Sequence, residues 1–221
     1  MSSDAPGDAS PGSVPDAPGD TGPGSAPGRR SRGIVTAGVI AALYAAVTLL
    51  ANQLLGVLSW GPVQLRASEA FTILPLFTPA AVPGLGVGCA LANLLNMGLT
   101  GAGPLALLDV IFGTLATVAG ALWTRRLRRR PLLALAGPVL ANAVIVAAYL
   151  PVMLKSLGVQ GYYTLPLTHV SLAQSWPLMY LFGFVGIAAG EALVVYGLGY
   201  PLFLLLRRLD IVRSVDDKGH S

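Results

Sequence analysis

Charge is scarce in this chain. Only 11% of its 221 residues are Asp, Glu, Lys or Arg, against about a quarter in soluble domains, while 54% are hydrophobic. That balance excludes an ordinary soluble domain and points to a membrane protein. Cysteine is nearly absent. Cys89 alone excludes an intramolecular disulfide, and its apolar, small-residue surroundings read as packing rather than as a nucleophile or ligand. No Cys/His cluster has metal-site spacing. Catalytic patterns are missing too: no Gly-x-Ser-x-Gly elbow, no intramembrane Ser–His pairing and no P-loop. The chain is therefore not expected to be an enzyme or to hold a cofactor. Any solute pumping must draw energy from a partner or an ion gradient. The net charge of +4 does not imply nucleic acid, because the basic residues sit in short clusters between apolar spans.

What is present divides into a tail and a membrane domain. Residues 1–33 are rich in Pro, Gly, Asp and Ser and cannot bury enough apolar surface to offset chain entropy, so they are expected to be disordered. They lack the apolar core and basic start of a signal peptide. A bilayer crossing needs about 20 mostly apolar residues. Candidate spans run over 34–58, 67–78, from Gly84 to about Asn96, 104–123, 131–153 and 176–206. The expected fold is an all-α integral membrane bundle of six helices over 34–206, with a C-terminal tail at 207–221. The second span is the weakest: it is short, and Pro75 and Pro79 interrupt it. Such a segment is tolerable where protein rather than lipid surrounds it.

Orientation follows from the basic residues. With the N-terminus in the cytoplasm and six crossings, Arg29, Arg30, Arg32, Arg125, Arg126, Arg128, Arg129, Arg130, Arg207, Arg208, Arg213 and Lys218 all fall inside. Only Arg66 and Lys155 fall outside. Both termini are thus expected in the cytoplasm. Arg66 stands three residues before Glu69, against the topological trend.

The remaining membrane-embedded polar residues share a depth. Glu69, Asn93, Asp109, Asn142 and Glu191 come from five spans, yet all fall in the outer half or at the midplane, as the walls of an outward pocket would. Each has a structural alternative. Arg66 and Glu69 at i,i+3 make a surface ion pair; Asp109 suits a helix N-terminus; the asparagines suit inter-helix hydrogen bonds. Glu191 has no basic neighbour in sequence, so it must pair across the bundle, bind a ligand or be neutral. Three carboxylates against one arginine favour a neutral or cationic solute rich in N–H donors.

Trp60, Tyr149, Tyr162, Tyr163, Trp176 and Tyr180 gather at the outer end. An interfacial aromatic belt accounts for Trp60 and Trp176, whereas Tyr162 and Tyr163 lie in a long loop placed to close over a flat ring. His169 in that loop has no assigned role. Small residues recur every four positions at Ala37, Ala41 and Ala45, and again at Ala42 and Ala46. Such a stripe serves close packing within the bundle or docking of a separate membrane subunit, and the sequence leaves both open.

At this point the chain resembles the QueT family, the substrate-binding (S) components of energy-coupling factor (ECF) importers assigned to queuosine precursors. The segments that carry the likeness are 64–70 with Leu74-Pro75, 84–93, 109–117, 138–143 and Gly190-Glu191, spread over roughly residues 40–206. The resemblance implies a six-helix protein that captures a 7-deazaguanine from outside; the residues read above as candidates for that binding are Arg66, Glu69, Asn93, Asp109, Asn142, Glu191, Tyr162 and Tyr163. It also implies docking, through the small residues of the first helix, on a transmembrane coupling subunit that carries the ATPases. The alternatives are an S component for another vitamin-like solute, a membrane assembly protein, and a stand-alone proton-coupled carrier.

Overall fold

The computed structural model describes residues 28–101, 103–158, 160–164 and 170–209. The expected disorder of the N-terminal tail, the tail beyond residue 209, His169 and the side chain of Tyr162 lie outside the described residues.

Among the described residues, five helices are long and apolar enough to cross a membrane. They are α1 (Arg29–Leu55), α2 (Ala81–Thr100), α3 (Pro104–Arg126), α4 (Pro131–Ser156) and α5 (Trp176–Arg208). Their limits follow from local chemistry. Gly56 (φ +53°) ends α1 and Gly101 (φ +64°) ends α2, both in left-handed conformations that favour glycine. Pro104 and Pro131 open α3 and α4, and Pro177 sits in the first turn of α5, where a missing N–H costs nothing. Large hydrophobic side chains such as Leu54, Leu99, Leu181 and Leu193 point outward, as lipid-facing residues do.

The expected second span differs. Residues Ala67–Leu76 form a ten-residue 3-10 helix. At about 2 Å per residue it extends about 20 Å, short of the roughly 30 Å hydrocarbon thickness. Pro75 removes one backbone donor inside it. The segment is enclosed by protein: Ser68, Glu69, Ala70, Thr72, Ile73 and Pro75 are buried. Phe71 and Leu74 pack against Ile40, Tyr44, Leu85 and Cys89 on one side; Ile73 packs with Leu135, Val139, Val195 and Phe203 on the other.

Close approaches between backbones set helix directions. The Cα of Gly84 lies against Ala37 and that of Gly88 against Ala41, so α1 and α2 run parallel. Gly86 meets Val118, Gly120 meets Pro138, and Gly183 meets Ala147. Gly186, Gly190 and Gly199 lie against Pro62, Gln64 and Ala70, so the chain from 62 through the 3-10 segment descends alongside α5. Except at Gly183, where a Cβ would be in ordinary contact with Ala147, glycine at these positions replaces a Cβ that would crowd the neighbouring chain.

Candidate functional site

The 3-10 segment brings a carboxylate to the middle of the bundle. Glu69 is fully buried, and its Oε1 accepts a short hydrogen bond from the Tyr44 hydroxyl of α1. Its Oε2 has no partner. Thr48 and Ser68, bonded at 2.6 Å, tie the same two elements together.

Arg66 precedes the segment with an extended backbone (φ −86°, ψ 90°), so its side chain leaves in a different direction from that of Glu69. Among the described residues the two form no ion pair, and both are buried, which sets aside the alternative of a surface i,i+3 pair. Arg66 Nη2 donates instead to Asn93 Oδ1 at 2.6 Å. Asn93 Nδ2 donates onward to the Asp109 carbonyl at 2.8 Å, and Tyr149 donates to Asp109 Oδ1 at 2.6 Å. One polar chain thus joins the 3-10 segment, α2, α3 and α4. Asp109–Gly113 is a π-helical turn, a distortion often found at functional sites. A Cβ on Gly113 would meet Asn93 Nδ2 at 3.1 Å, Asp109 Oδ1 at 3.2 Å and the Tyr149 hydroxyl at 3.4 Å, so glycine there lets the three groups converge.

Asn142 and Glu191 complete the cluster from α4 and α5. Both are buried, and neither the Asn142 amide nor either Glu191 oxygen has a hydrogen-bond partner. Asn142 lies beside the Glu69 carboxylate, and Glu191 lies within electrostatic reach of Glu69 and Arg66. Buried polar atoms without partners are rare and costly in folded proteins. Here five of them, on three elements, surround one place.

A cavity of about 190 Å³ opens at the end of the bundle opposite the 125–130 turn, with Trp60, Asn93, Asn96, Met97, Asp109 and Met153 among its walls. Glu69, Asn142 and Glu191 do not line it. Asn93 and Asp109 belong to both cavity and cluster, so the polar chain they form with Arg66 is the floor between the opening and the buried carboxylates.

Tyr163 does not join this cluster. It is fully buried, packs edge-on to Phe182 at 6.1 Å and shares a core with Met153 and Leu154. Burial holds its hydroxyl well above the ordinary tyrosine range. It is a core residue near the cavity wall rather than an exposed lid.

Tyr44 and Thr48 carry no clear mark in the sequence, while Ser68 and Thr117 lie in segments that carry the family likeness without having been singled out. Cys89, read as packing, is buried but also accepts hydrogen bonds from Asn93 (3.5 Å) and Thr117 (3.4 Å). Tyr149, grouped by sequence with the outer aromatics, is a buried partner of Asp109. The alanine stripe of α1 divides. Ala41 and Ala45 are buried and Ala37 packs on Gly84, whereas Ala42 and Ala46 are exposed.

The queuosine precursor transporter QueT of Lactococcus lactis subsp. cremoris (strain MG1363) is 32% identical over 85 residues, which are 38% of this chain and 44% of that protein. The match therefore spans less than half the length of this curated relative. No solved structure matches. The sequence pattern of the QueT transporter family matches residues 34–208, the whole membrane domain. The chain belongs to the QueT transporter family, a family of multi-pass membrane transporters and not of enzymes.

Proposed function

We propose that the chain is the solute-capture subunit of an ECF-type importer and binds a queuosine precursor of the 7-deazaguanine class. The observation that carries this reading is the set of unpartnered buried atoms: Glu69 Oε2, the Asn142 amide and both Glu191 oxygens, gathered beneath an open cavity. A deazaguanine presents adjacent N–H donors on one edge and a carbonyl beside them. A carboxylate accepts paired N–H groups, and an asparagine amide complements a carbonyl with its NH2 and a ring N–H with its oxygen. Glu191 and Glu69 take the donors, Asn142 takes the mixed edge, and Arg66 with Asn93 and Asp109 closes the site toward the cavity. Trp60 on the cavity wall offers a ring for stacking. The name of the Lactococcus relative supports the solute class.

In this reading the chain crosses the membrane six times, both termini are cytoplasmic and the cavity faces outward. The parallel course of α1 and α2 and the grouping of the arginines support that arrangement. ATP hydrolysis belongs to partner subunits, reached through a coupling subunit docked on the exposed face of α1.

The test is calorimetry and thermal unfolding of the purified protein with the nitrile and aminomethyl forms of 7-deazaguanine and with queuine. Binding of at least one, with a higher Tm as mass action requires, is expected. Glu69→Gln and Glu191→Gln should each weaken binding about tenfold or more, the loss of about 1.4 kcal/mol or more expected for a charge-assisted hydrogen bond, while the protein still folds. Absence of binding and of any Tm change with all these compounds would leave a structural or assembly role. Unchanged affinity in both variants would assign the carboxylates to helix bonding.

A further inference from the structure

We propose that the turn at residues 125–130, between α3 and α4, is a binding site for the phosphate headgroup of an anionic phospholipid. Five of its six residues are arginines, and they line a concavity of about 410 Å³ together with Leu127. Among the described residues the only carboxylate side chains are Glu69, Asp109 and Glu191, and each belongs to the solute site. Like charges crowded into one turn repel one another, and salt only partly screens them. The C-terminus of α3, where Arg125 and Arg126 form the last turn, offsets part of that repulsion through its partial negative charge. An anion seated in the concavity offsets the rest.

Topology alone does not account for this turn. Arg29, Arg30 and Arg32 on α1 and Arg207 and Arg208 on α5 already supply an orienting bias, and lysine serves that purpose as well as arginine. The basic ends of α1 and α5 use arginine too, but only this turn gathers five guanidinium groups within six residues around one concavity. A guanidinium grips a phosphate through two parallel N–H bonds, whereas an ammonium acts as a point charge. Arg125 is committed elsewhere, because its Nη1 donates to the Pro75 carbonyl at 3.1 Å. Arg126, Arg128, Arg129 and Arg130 have no partner among the described residues.

The surroundings choose a lipid over a free anion. Leu122, Trp123, Leu132 and Leu133 are exposed immediately beside the arginines, on the two helices that enter the turn. The Trp123 indole donates to the Leu133 carbonyl at 3.2 Å, and Tyr196 of α5 donates to the Leu132 carbonyl at 2.9 Å. These bonds hold two amphipathic rings at the level where Trp and Tyr mark a membrane interface. Cationic head site and apolar flank adjoin as headgroup and acyl chains do.

Native mass spectrometry of the full chain tests this directly, after reconstitution in mixed phosphatidylglycerol and phosphatidylcholine. Wild type should retain phosphatidylglycerol preferentially. The triple variant Arg128→Lys, Arg129→Lys and Arg130→Lys keeps the charge that orients the chain, yet should lose retention by about fivefold, as expected for about 1 kcal/mol of lost phosphate grip. Arg207→Lys with Arg208→Lys, on another helix, should leave it unchanged. Glycerol phosphate, a headgroup without chains, should not displace the lipid. Equal retention of the two lipids, or of phosphatidylglycerol by wild type and the 128–130 variant, would overturn the site. Displacement by glycerol phosphate would overturn the lipid as its occupant.

Discussion

A Cβ on Gly190 would be driven into the carbonyl of Gln64, and one on Gly186 into that of Pro62. These contacts set the depth at which Arg66 and Glu69 stand relative to Glu191, one residue beyond Gly190. Gly190→Ala should therefore destabilise the protein by about 1–3 kcal/mol, as overpacking of a tight contact does. It should also weaken solute binding by displacing Glu69 from Glu191. Gly197→Ala is the control, since its Cβ would touch only Leu193 Cδ1 at 3.9 Å, and its effect should remain within about 0.5 kcal/mol. Thermal unfolding in detergent decides between them: equal Tm values for the two variants would show that the Gly190 contact does not hold the segment in place. At this scale the polar residues of the candidate site are legible in the sequence, because a charge or amide stands out in an apolar run. Their partners are not. Arg66 finds Asn93 across 27 positions and Tyr44 finds Glu69 across 25, distances over which local spacing carries no information. The i,i+3 spacing of Arg66 and Glu69 misleads because Arg66 lies outside the helical turn.

Among the elements, the long helices are legible because length and hydropathy suffice, and their ends follow glycine and proline. The 3-10 geometry of residues 67–76 is not, since no periodicity distinguishes a short apolar 3-10 run from a short α-helix. Only its shortness and prolines give warning. The alanines of α1 are similarly ambiguous until packing divides them. Ala41 lies on the backbone-tight face against Gly88, whereas Ala42 and Ala46, with exposed Gly38, form an outer face. Ala41→Leu should then lower stability by about 1–3 kcal/mol, because the added atoms have no space against α2. Ala42→Leu with Ala46→Leu should leave the Tm and solute affinity unchanged but reduce uptake by cells carrying the complete transporter, if this face receives the coupling subunit. Solute binding by calorimetry and uptake of labelled solute separate these outcomes. Normal uptake in the double variant would move the docking face elsewhere.

For the whole molecule, the parallel course of α1 and α2 has a consequence for topology. The end of α1 and the start of α2 lie at opposite ends of the bundle, so residues 56–80 must traverse its full height. The 3-10 segment supplies about 20 Å of that path, and the chain from Pro62 onward, lying against Gly186 and Gly190, supplies the remainder. A short 3-10 helix and its extended lead-in are tolerable at membrane depth here because they are enclosed by α1, α2, α3, α4 and α5. In the topology we propose, five membrane-length helices and one protein-wrapped strap make six crossings, so that the start of α1 and the end of α5 share the arginine-rich side. Single cysteines introduced in a Cys89→Ala background test the whole arrangement with a membrane-impermeant maleimide. Val63→Cys and Gly103→Cys should react in intact cells. Pro79→Cys and Arg128→Cys should react only after permeabilisation. Val63 and Pro79 straddle the strap, so reaction of both in intact cells would mean that the chain turns back instead of crossing there. Reaction of Arg128→Cys but not Gly103→Cys would invert the bundle and close the cavity to the outside.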